Sequence, residues 1–372
     1  MDNCAADCEL NGCIEAPRLL LIGSGQSVMW VLFTAQIRQI CFADLGIKRS
    51  ESMANPIVAV VDTVFPTLDP AKEALSRVNA VVKLAEEPTP EKILEVAADA
   101  EGVLTTYGQV TAEVIEGLRN CKVIGRFGIG IDNIDIPAAH AKGITVCYAP
   151  VYCLDEVSDH AMALLLAVAR KISFADKLVA HGRWEMPAVV PIGRIRGKTL
   201  GLLGLGNIPQ AVVGKAQAFG MNVIAADPYC PDEVFQKLNV TRVEFDDLLA
   251  QSDYVSVHAP LTPETENMFN MDAFKKMKSS AFLINTARGP LVNTDDLAVA
   301  LDAGELAGAG LDVLPTEPPV ADDPIVGRDD VVITPHTGFY SEEALLDLQT
   351  TVASDVASVL AGEAPKYPVA AK

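Results

Sequence analysis

With 372 residues, half of them apolar, the chain is long enough for two or three domains and can bury a large core. Its 49 acidic against 29 basic side chains leave a formal charge of -20, which repels nucleic acid and anionic lipid and sets both aside as partners. No apolar run is long enough to cross a bilayer, and the eight cysteines lack the paired Cys-x-x-Cys spacing of a zinc site, so reduced thiols in a cytoplasmic protein without a metal are expected.

Residues 1 to 52 are cysteine-rich and weakly patterned. Their acidic start, with Asp2, Asp7 and Glu9, is unlike a signal peptide. They are expected to be an N-terminal extension, with the folded enzyme beginning near Met53. From there short apolar runs alternate with helical patterns. Strands are predicted at Ile57–Val61, Ala80–Leu84, Gly102–Thr106, Lys122–Gly125 and Ile144–Cys147. A long helix over about Asp155–Ala180 follows, with acidic residues in its first turn and an apolar middle, Ala161–Ala169, to be buried against a domain or a second subunit. Strands resume at Thr199–Leu203, Asn222–Ala226, Tyr254–Val257, Ala281–Ile284, Gly308–Leu311 and Val331–Ile333, and a last helix runs over about Ser341–Leu360. Strand–helix alternation of this kind predicts doubly wound parallel sheets of the α/β class.

Three Gly-x-Gly turns compete for a phosphate-binding role. Gly204-Leu-Gly206-Asn-Ile-Pro209 follows an apolar strand and opens a helical stretch, and Asp227 ends the next strand 23 residues past Gly204. That is the full dinucleotide unit: Gly204 for the tight turn, Gly206 for backbone approach to the pyrophosphate, a helix N-terminus at Asn207 and Ile208 facing the anion, and Asp227 for the ribose hydroxyls. Pro209 replaces the third glycine, which is tolerated in a first helical turn but sets the helix slightly further out. A carboxylate at Asp227 repels a 2'-phosphate, so the cofactor is read as NAD. Gly23-Ser-Gly25 lies in the poorly patterned extension, and Gly128-Ile-Gly130 is followed by no immediate helix.

Parallel sheets place ligands beyond the carboxyl ends of their strands. Arg288, Glu317 and His336 each follow such a strand. Reduction of a 2-oxo acid needs a cation for the carboxylate, a proton donor to the developing alkoxide and a group that orients that donor. Arg, His and Glu are those groups. His258 also follows a strand but has no acidic residue close by in its segment, so it is expected to line the cofactor cleft. His160 is expected to be a satisfied core residue, and His140 and His181 to be solvated.

Several motifs in order carry a resemblance: Gly125-Arg-Phe-Gly-Ile-Gly-Ile-Asp-Asn-Ile-Asp135, Asp155-Glu-Val-Ser-Asp-His160, the Gly204 turn, Ile284-Asn-Thr-Ala-Arg-Gly289, Asp312 to Pro318, and Thr334-Pro-His336. From about 57 to 368 the chain resembles the D-isomer-specific 2-hydroxyacid dehydrogenase family, which includes D-3-phosphoglycerate dehydrogenase. The resemblance implies two Rossmann-like domains: a substrate domain of 53–153 plus 339–372, and an NAD-binding domain of 154–338 inserted into it. It implies a homodimer formed through the cofactor domain and its long helix. It assigns Arg288 to the substrate, Glu317 to orienting His336 and His336 to acid–base work. It carries Thr286, Ala287 and Asp312 over to the cofactor, together with His258. Thr106, Tyr107 and Gly108, with Gly128, Ile129 and Gly130, are assigned to the substrate. Formate dehydrogenases of the family have Gln in place of the Glu, so Glu317 argues against that activity. Thr337-Gly-Phe-Tyr-Ser-Glu-Glu343 is similar to the branch of the C-terminal binding proteins, which implies an alternative: an NAD(H)-gated binding protein of the corepressor type with little turnover. A bulky substrate packed on Phe127, Tyr107 and Tyr340 is a weaker idea.

Overall fold

The computed structural model describes residues 55–370. The expected extension over 1–52, with its Gly23-Ser-Gly25 turn, lies outside the described residues. Among them, two sheets form, each parallel throughout. The first contains β1 (Ile57–Val60), β2 (Val81–Leu84), β3 (Gly102–Thr105), β4 (Val123–Arg126) and β5 (Thr145–Cys147), in the order β2-β1-β3-β4-β5. The second contains β6 (Thr199–Leu203), β7 (Asn222–Ala226), β8 (Thr241–Arg242), β9 (Tyr254–Val257), β10 (Phe282–Asn285), β11 (Gly308–Leu311) and β12 (Val331–Ile333). Its order is β12-β11-β10-β9-β6-β7-β8. Both are doubly wound α/β sheets, as the sequence predicts.

Alternation along each strand divides the core between the two faces of its sheet. In the first sheet Val58, Val60, Leu104 and Val123 pack on one face, against Leu348, Val352 and Val356 of the helix Glu342–Leu360. Ala59, Val61, Val103 and Ile124 pack on the other, against Ile93, Val114 and Ile115. Fully burying each of those helix residues stabilises by roughly 1.5–3 kcal/mol, so the last helix is held to the first sheet although it follows the second in sequence. The second sheet is therefore an insertion between β5 and that helix.

The helix Leu154–Ala169 covers one face of the second sheet. A Cβ at Gly310 of β11 would lie 2.9 Å from Leu164 Cβ, so glycine there permits the close approach. The sequence predicts one helix over about Asp155–Ala180. The structure breaks it: Lys171 takes a left-handed φ of 52°, and a second helix runs Ile172–Ala180. A left-handed residue cannot propagate the right-handed hydrogen-bond ladder.

The chain winds outward in opposite directions on either side of two strand pairs, β1/β3 and β6/β9. The loops leaving those strands splay apart there and open a crevice, where ligands bind in open parallel sheets.

Candidate functional site

The glycine-rich turn leaves β6 at the second of these crevices. Gly204 has φ 92°, and a Cβ there would stand 3.0 Å from His258 O at the end of β9. Only glycine fits both restraints. A Cβ at Gly206 would meet nothing within 4 Å, so this side of the turn faces open space. Gly206 caps the helix Asn207–Ala218, whose first turn carries no acidic residue. Pro209 is buried in that first turn, as expected of a proline tolerated there. Asp227 closes the site from β7. Its Oδ2 accepts from Leu205 N at 2.8 Å, and its Oδ1 accepts from Tyr229 N and Cys230 N at 2.9 and 3.0 Å. Beyond β10, Thr286 Oγ1 is buried without a hydrogen-bond partner. An open glycine face, a helix N-terminus, a fixed carboxylate and an orphaned hydroxyl fit a dinucleotide.

His258 is half-buried, with Nε2 2.9 Å from Ser256 Oγ. Burial pushes its imidazole down to about 4, so it is uncharged near neutral pH and is a poor proton donor.

The three residues singled out for chemistry come from three strand ends. His336 Nδ1 lies 2.7 Å from Glu317 Oε2, and Glu317 Oε1 accepts from Leu314 N at 2.9 Å. The carboxylate is thus held by its own loop and fixes the ring, leaving Nε2 to exchange a proton. His336 has a left-handed φ of 52°, a conformation that costs of order 1 kcal/mol or more and must be over-determined by its surroundings. Its N–H donates to Asp312 O at 2.8 Å. Asp312 is 3% exposed. Its Oδ1 accepts from Thr334 Oγ1 and Thr337 N at 2.6 and 2.9 Å, and Oδ2 accepts from Gly338 N at 2.8 Å. His160 Nε2 adds contacts at 2.8 Å to Thr334 Oγ1 and 3.2 Å to Asp312 Oδ1. Burial opposes the Asp312 charge, but these donors outweigh it and hold its carboxyl below the usual value. His160, expected to be a core residue, is partly exposed and braces the loop that carries His336.

Arg288 donates from Nε to Asp132 Oδ1 at 3.0 Å and from Nη1 to Ala287 O at 2.8 Å. Asn285, fully buried at the end of β10, fixes this turn: its Nδ2 donates to Arg288 O and its Oδ1 accepts from Ala287 N. Burial opposes the Asp132 charge, yet Arg288 beside it holds the carboxyl below its ordinary value.

The first sheet meets this site with two loops. Asp62, after β1, accepts from Thr105 Oγ1 (3.0 Å), Thr106 N (2.8 Å) and Tyr107 N (2.7 Å). Asn133 Nδ2 donates to Gly108 O at 2.9 Å. These bonds hold Thr106, Tyr107 and Gly108 together, with the Tyr107 ring 5.3 Å from that of His336. Burial pushes the Tyr107 phenol up to about 12 against the pull of Arg126, and the charges of Glu317, Arg288 and Asp312 also reach it. Tyr107 therefore marks one cleft shared by both sheets. Ile129 and Ile208 pack on the same cluster, so the Gly128–Gly130 loop and the dinucleotide turn adjoin.

Phe127 does not line the cleft: it is 1% exposed and its ring lies 5.2 Å from Phe65 in the core. Tyr340 is exposed. Sequence reasoning missed Asp62, Asp132 and Arg126 as site residues. All three lie at or beyond strand ends, where the same rule would have found them.

The family model described as "D-isomer specific 2-hydroxyacid dehydrogenase, NAD binding domain" matches residues 162–338. The chain is 42% identical over 272 residues to a D-3-phosphoglycerate dehydrogenase of Archaeoglobus fulgidus, covering 73% of this chain and 51% of that protein. It spans about half the length of such curated relatives. A crystal structure of a Thermus thermophilus protein aligns with TM-score 0.77 at 33% identity, over 84% of this chain and 100% of the other. That of a D-lactate dehydrogenase of Aquifex aeolicus, complexed with NAD and lactic acid, aligns with TM-score 0.75 at 27% identity, over 82% and 96%.

Proposed function

The chain belongs to the D-isomer specific 2-hydroxyacid dehydrogenase family, and from that premise we propose that it is an NAD-dependent oxidoreductase interconverting a 2-oxo acid and a D-2-hydroxy acid. The observation that carries this is the 2.7 Å bond between His336 Nδ1 and Glu317 Oε2, in a cleft where Arg288 supplies positive charge. Gly204, Gly206, Asn207, Ile208, Asp227 and Thr286 would hold the dinucleotide, with Ala287 and His258 along its path. When bound there, NADH would supply the hydride for the substrate's C2. Arg288 binds the carboxylate and polarises the carbonyl. His336 Nε2 gives its proton to the carbonyl oxygen as charge builds there, and Glu317 stabilises the imidazolium before transfer and keeps Nε2 aimed. Run backwards, the neutral ring takes the hydroxyl proton. The loop Thr106–Gly108, whose Thr106 and Tyr107 amides are held by Asp62, and the turn Gly128–Gly130 complete the substrate side.

Residues 154–338 form the cofactor domain in this reading, and 53–153 with 339–372 the substrate domain. The enzyme is a cytoplasmic homodimer; the free thiols at Cys121, Cys147, Cys153 and Cys230 suit a reducing compartment. No helix among the described residues is long and apolar enough to cross a membrane.

A panel of short 2-oxo acids with NADH tests the reading. Turnover by the wild type is expected, and His336→Ala should cut it by roughly 100- to 10,000-fold with NADH affinity kept. Tight NADH binding without turnover of any acid would instead favour the NAD(H)-gated binding protein.

A further inference from the structure

Asp227 follows β7 and opens the turn Asp227-Pro228-Tyr229-Cys230. Tyr229 at the tip is 94% exposed, so hydrogen bonds rather than packing set the shape of the tip. Asp227 supplies the inner set: Oδ1 takes the amides of Tyr229 and Cys230, and Oδ2 takes that of Leu205 in the glycine turn. A carboxylate has about four lone-pair sites. These amides leave a single one, on Oδ2, for a ribose hydroxyl. A small rotation of the carboxylate would miss that hydroxyl, so the turn must be held still.

Arg242 supplies an outer set. It is the last residue of β8, the edge strand beside β7. Its Nη1 donates to Asp227 O at 3.1 Å and its Nη2 donates to Cys230 O, so one planar fork spans both ends of the turn. Other contacts aim the fork. Nε pairs with Asp232 Oδ1 at 3.1 Å, and Cζ lies 4.2 Å from the centre of the Phe235 ring, which is buried in the core of the second sheet. The ion pair with Asp232 is largely solvated and adds little stability by itself; its effect is to orient the guanidinium. Val243 N donates to Ala225 O at 3.0 Å, so the backbone next to Arg242 is registered against the strand that leads into Asp227. Each guanidinium nitrogen already has a protein partner, which suits a clamp better than a site for an incoming anion.

We propose that Arg242 is a positioning residue for the cofactor: its guanidinium clamps the turn Asp227–Cys230 and so aims the Asp227 carboxylate at the adenosine ribose. Arg242 acts through Asp227 and not by touching the dinucleotide. The proposal rests on the assignment of Asp227 to the ribose. It makes affinity for the adenosine half of NAD depend on a residue 15 positions further along the chain, outside the glycine turn.

Calorimetric titration of the full chain with NADH and with ADP-ribose, which carries the adenosine ribose but no nicotinamide, tests it. The wild type should bind both. Arg242→Ala should weaken both by the same factor, about 3- to 30-fold, the range for a residue that acts on a ligand through another. Arg242→Lys keeps the charge but not the planar fork, and should recover at most part of the loss. In an Asp227→Ala background, Arg242→Ala should add nothing, because the carboxylate it aims is gone; a merely structural role would still show there. Unchanged affinities in Arg242→Ala overturn the proposal, as does full recovery in Arg242→Lys, an undiminished further loss in the double variant, or a loss for NADH that ADP-ribose does not share. Should Arg242→Ala fail to fold, Arg242→Lys decides: it must bind ADP-ribose more weakly than the wild type, and equal binding overturns the proposal. ADP-ribose affinity that survives Asp227→Ala sinks the ribose assignment and this proposal together. A loss in Asp227→Ala without one in Arg242→Ala sinks the Arg242 proposal alone.

Discussion

Two side chains at the dinucleotide turn carry opposite consequences for charge. In the proposed dinucleotide site Asp227 would set a carboxylate against a 2'-phosphate, and its oxygens are pinned by the amides of Leu205, Tyr229 and Cys230. Asp227→Ala should therefore narrow the preference for NADH over NADPH by 10-fold or more, roughly the worth of one close charge repulsion. A wild type that already prefers NADPH would refute the ribose role. His258 is the reverse case: burial keeps it neutral, with its pKa lowered from 6.5 to about 4. Between those values the unfolded chain binds a proton that the folded chain excludes, so stability is full above about pH 6.5 and falls as the pH drops toward 4. The ring is partly accessible, which limits the loss to on the order of 2 kcal/mol. His258→Gln should flatten this part of the stability curve in urea melts at about pH 4 to 7, and an unchanged slope would remove His258 as its source.

Strands and their loops were the legible part of the chain. Apolar runs bounded by Gly, Pro and Asp located the strands to within a residue at most ends, and the rule that ligands lie beyond strand ends led to Arg288, Glu317 and His336. Arg126 lies directly after the strand expected to stop at Gly125, within reach of the same rule, but reads in the sequence as part of the glycine turn that follows. Asp62 and His160 act through partners 43 to 174 positions away, which no local pattern announces. The break at Lys171 was hidden for a different reason: the apolar pattern runs through it with no Gly or Pro as a marker. At this scale the His336 loop depends on Asp312, whose two oxygens take donors from Thr334, Thr337 and Gly338. The resemblance implies a cofactor role for Asp312; its bonds also brace the loop that carries His336. Asp312→Asn turns one acceptor into a donor facing backbone N–H groups. It should cost about 2–3 kcal/mol of stability and lower kcat more than it weakens NADH binding. Loss of NADH affinity with kcat intact would favour the cofactor role over the brace.

At the scale of the whole molecule, one surface is left with the character of an interface. Beyond the break at Lys171 the chain presents Ile172, Val179, Trp184, Met186 and Val190 to solvent, with Trp184 89% and Met186 72% exposed. Scattered apolar side chains on a surface need no explanation, but this many in one short arm are unusual for a monomer. A shallow cavity of about 260 Å³ adjoins them, lined by Ala167, Val168, Lys171, Phe174, Ala188 and Val332. The segment is continuous with the helix Leu154–Ala169, whose apolar middle is largely consumed by the second sheet, so what remains for a partner is the arm that follows it. A second copy of this chain meeting the arm by two-fold symmetry would bury each Trp184 once per subunit. The wild type is therefore expected to run at twice the mass of one chain in size exclusion with light scattering. Trp184→Glu combined with Met186→Glu should shift it to the monomer, since a carboxylate buried at the interface without a partner costs several kcal/mol in each half. The monomer should keep its NADH affinity, because the dinucleotide turn is built within one chain, from β6, β7 and the helix Asn207–Ala218, and takes no residue from the arm. A wild type that is monomeric at micromolar concentration, or a double variant that remains dimeric, would remove this arm as the contact surface.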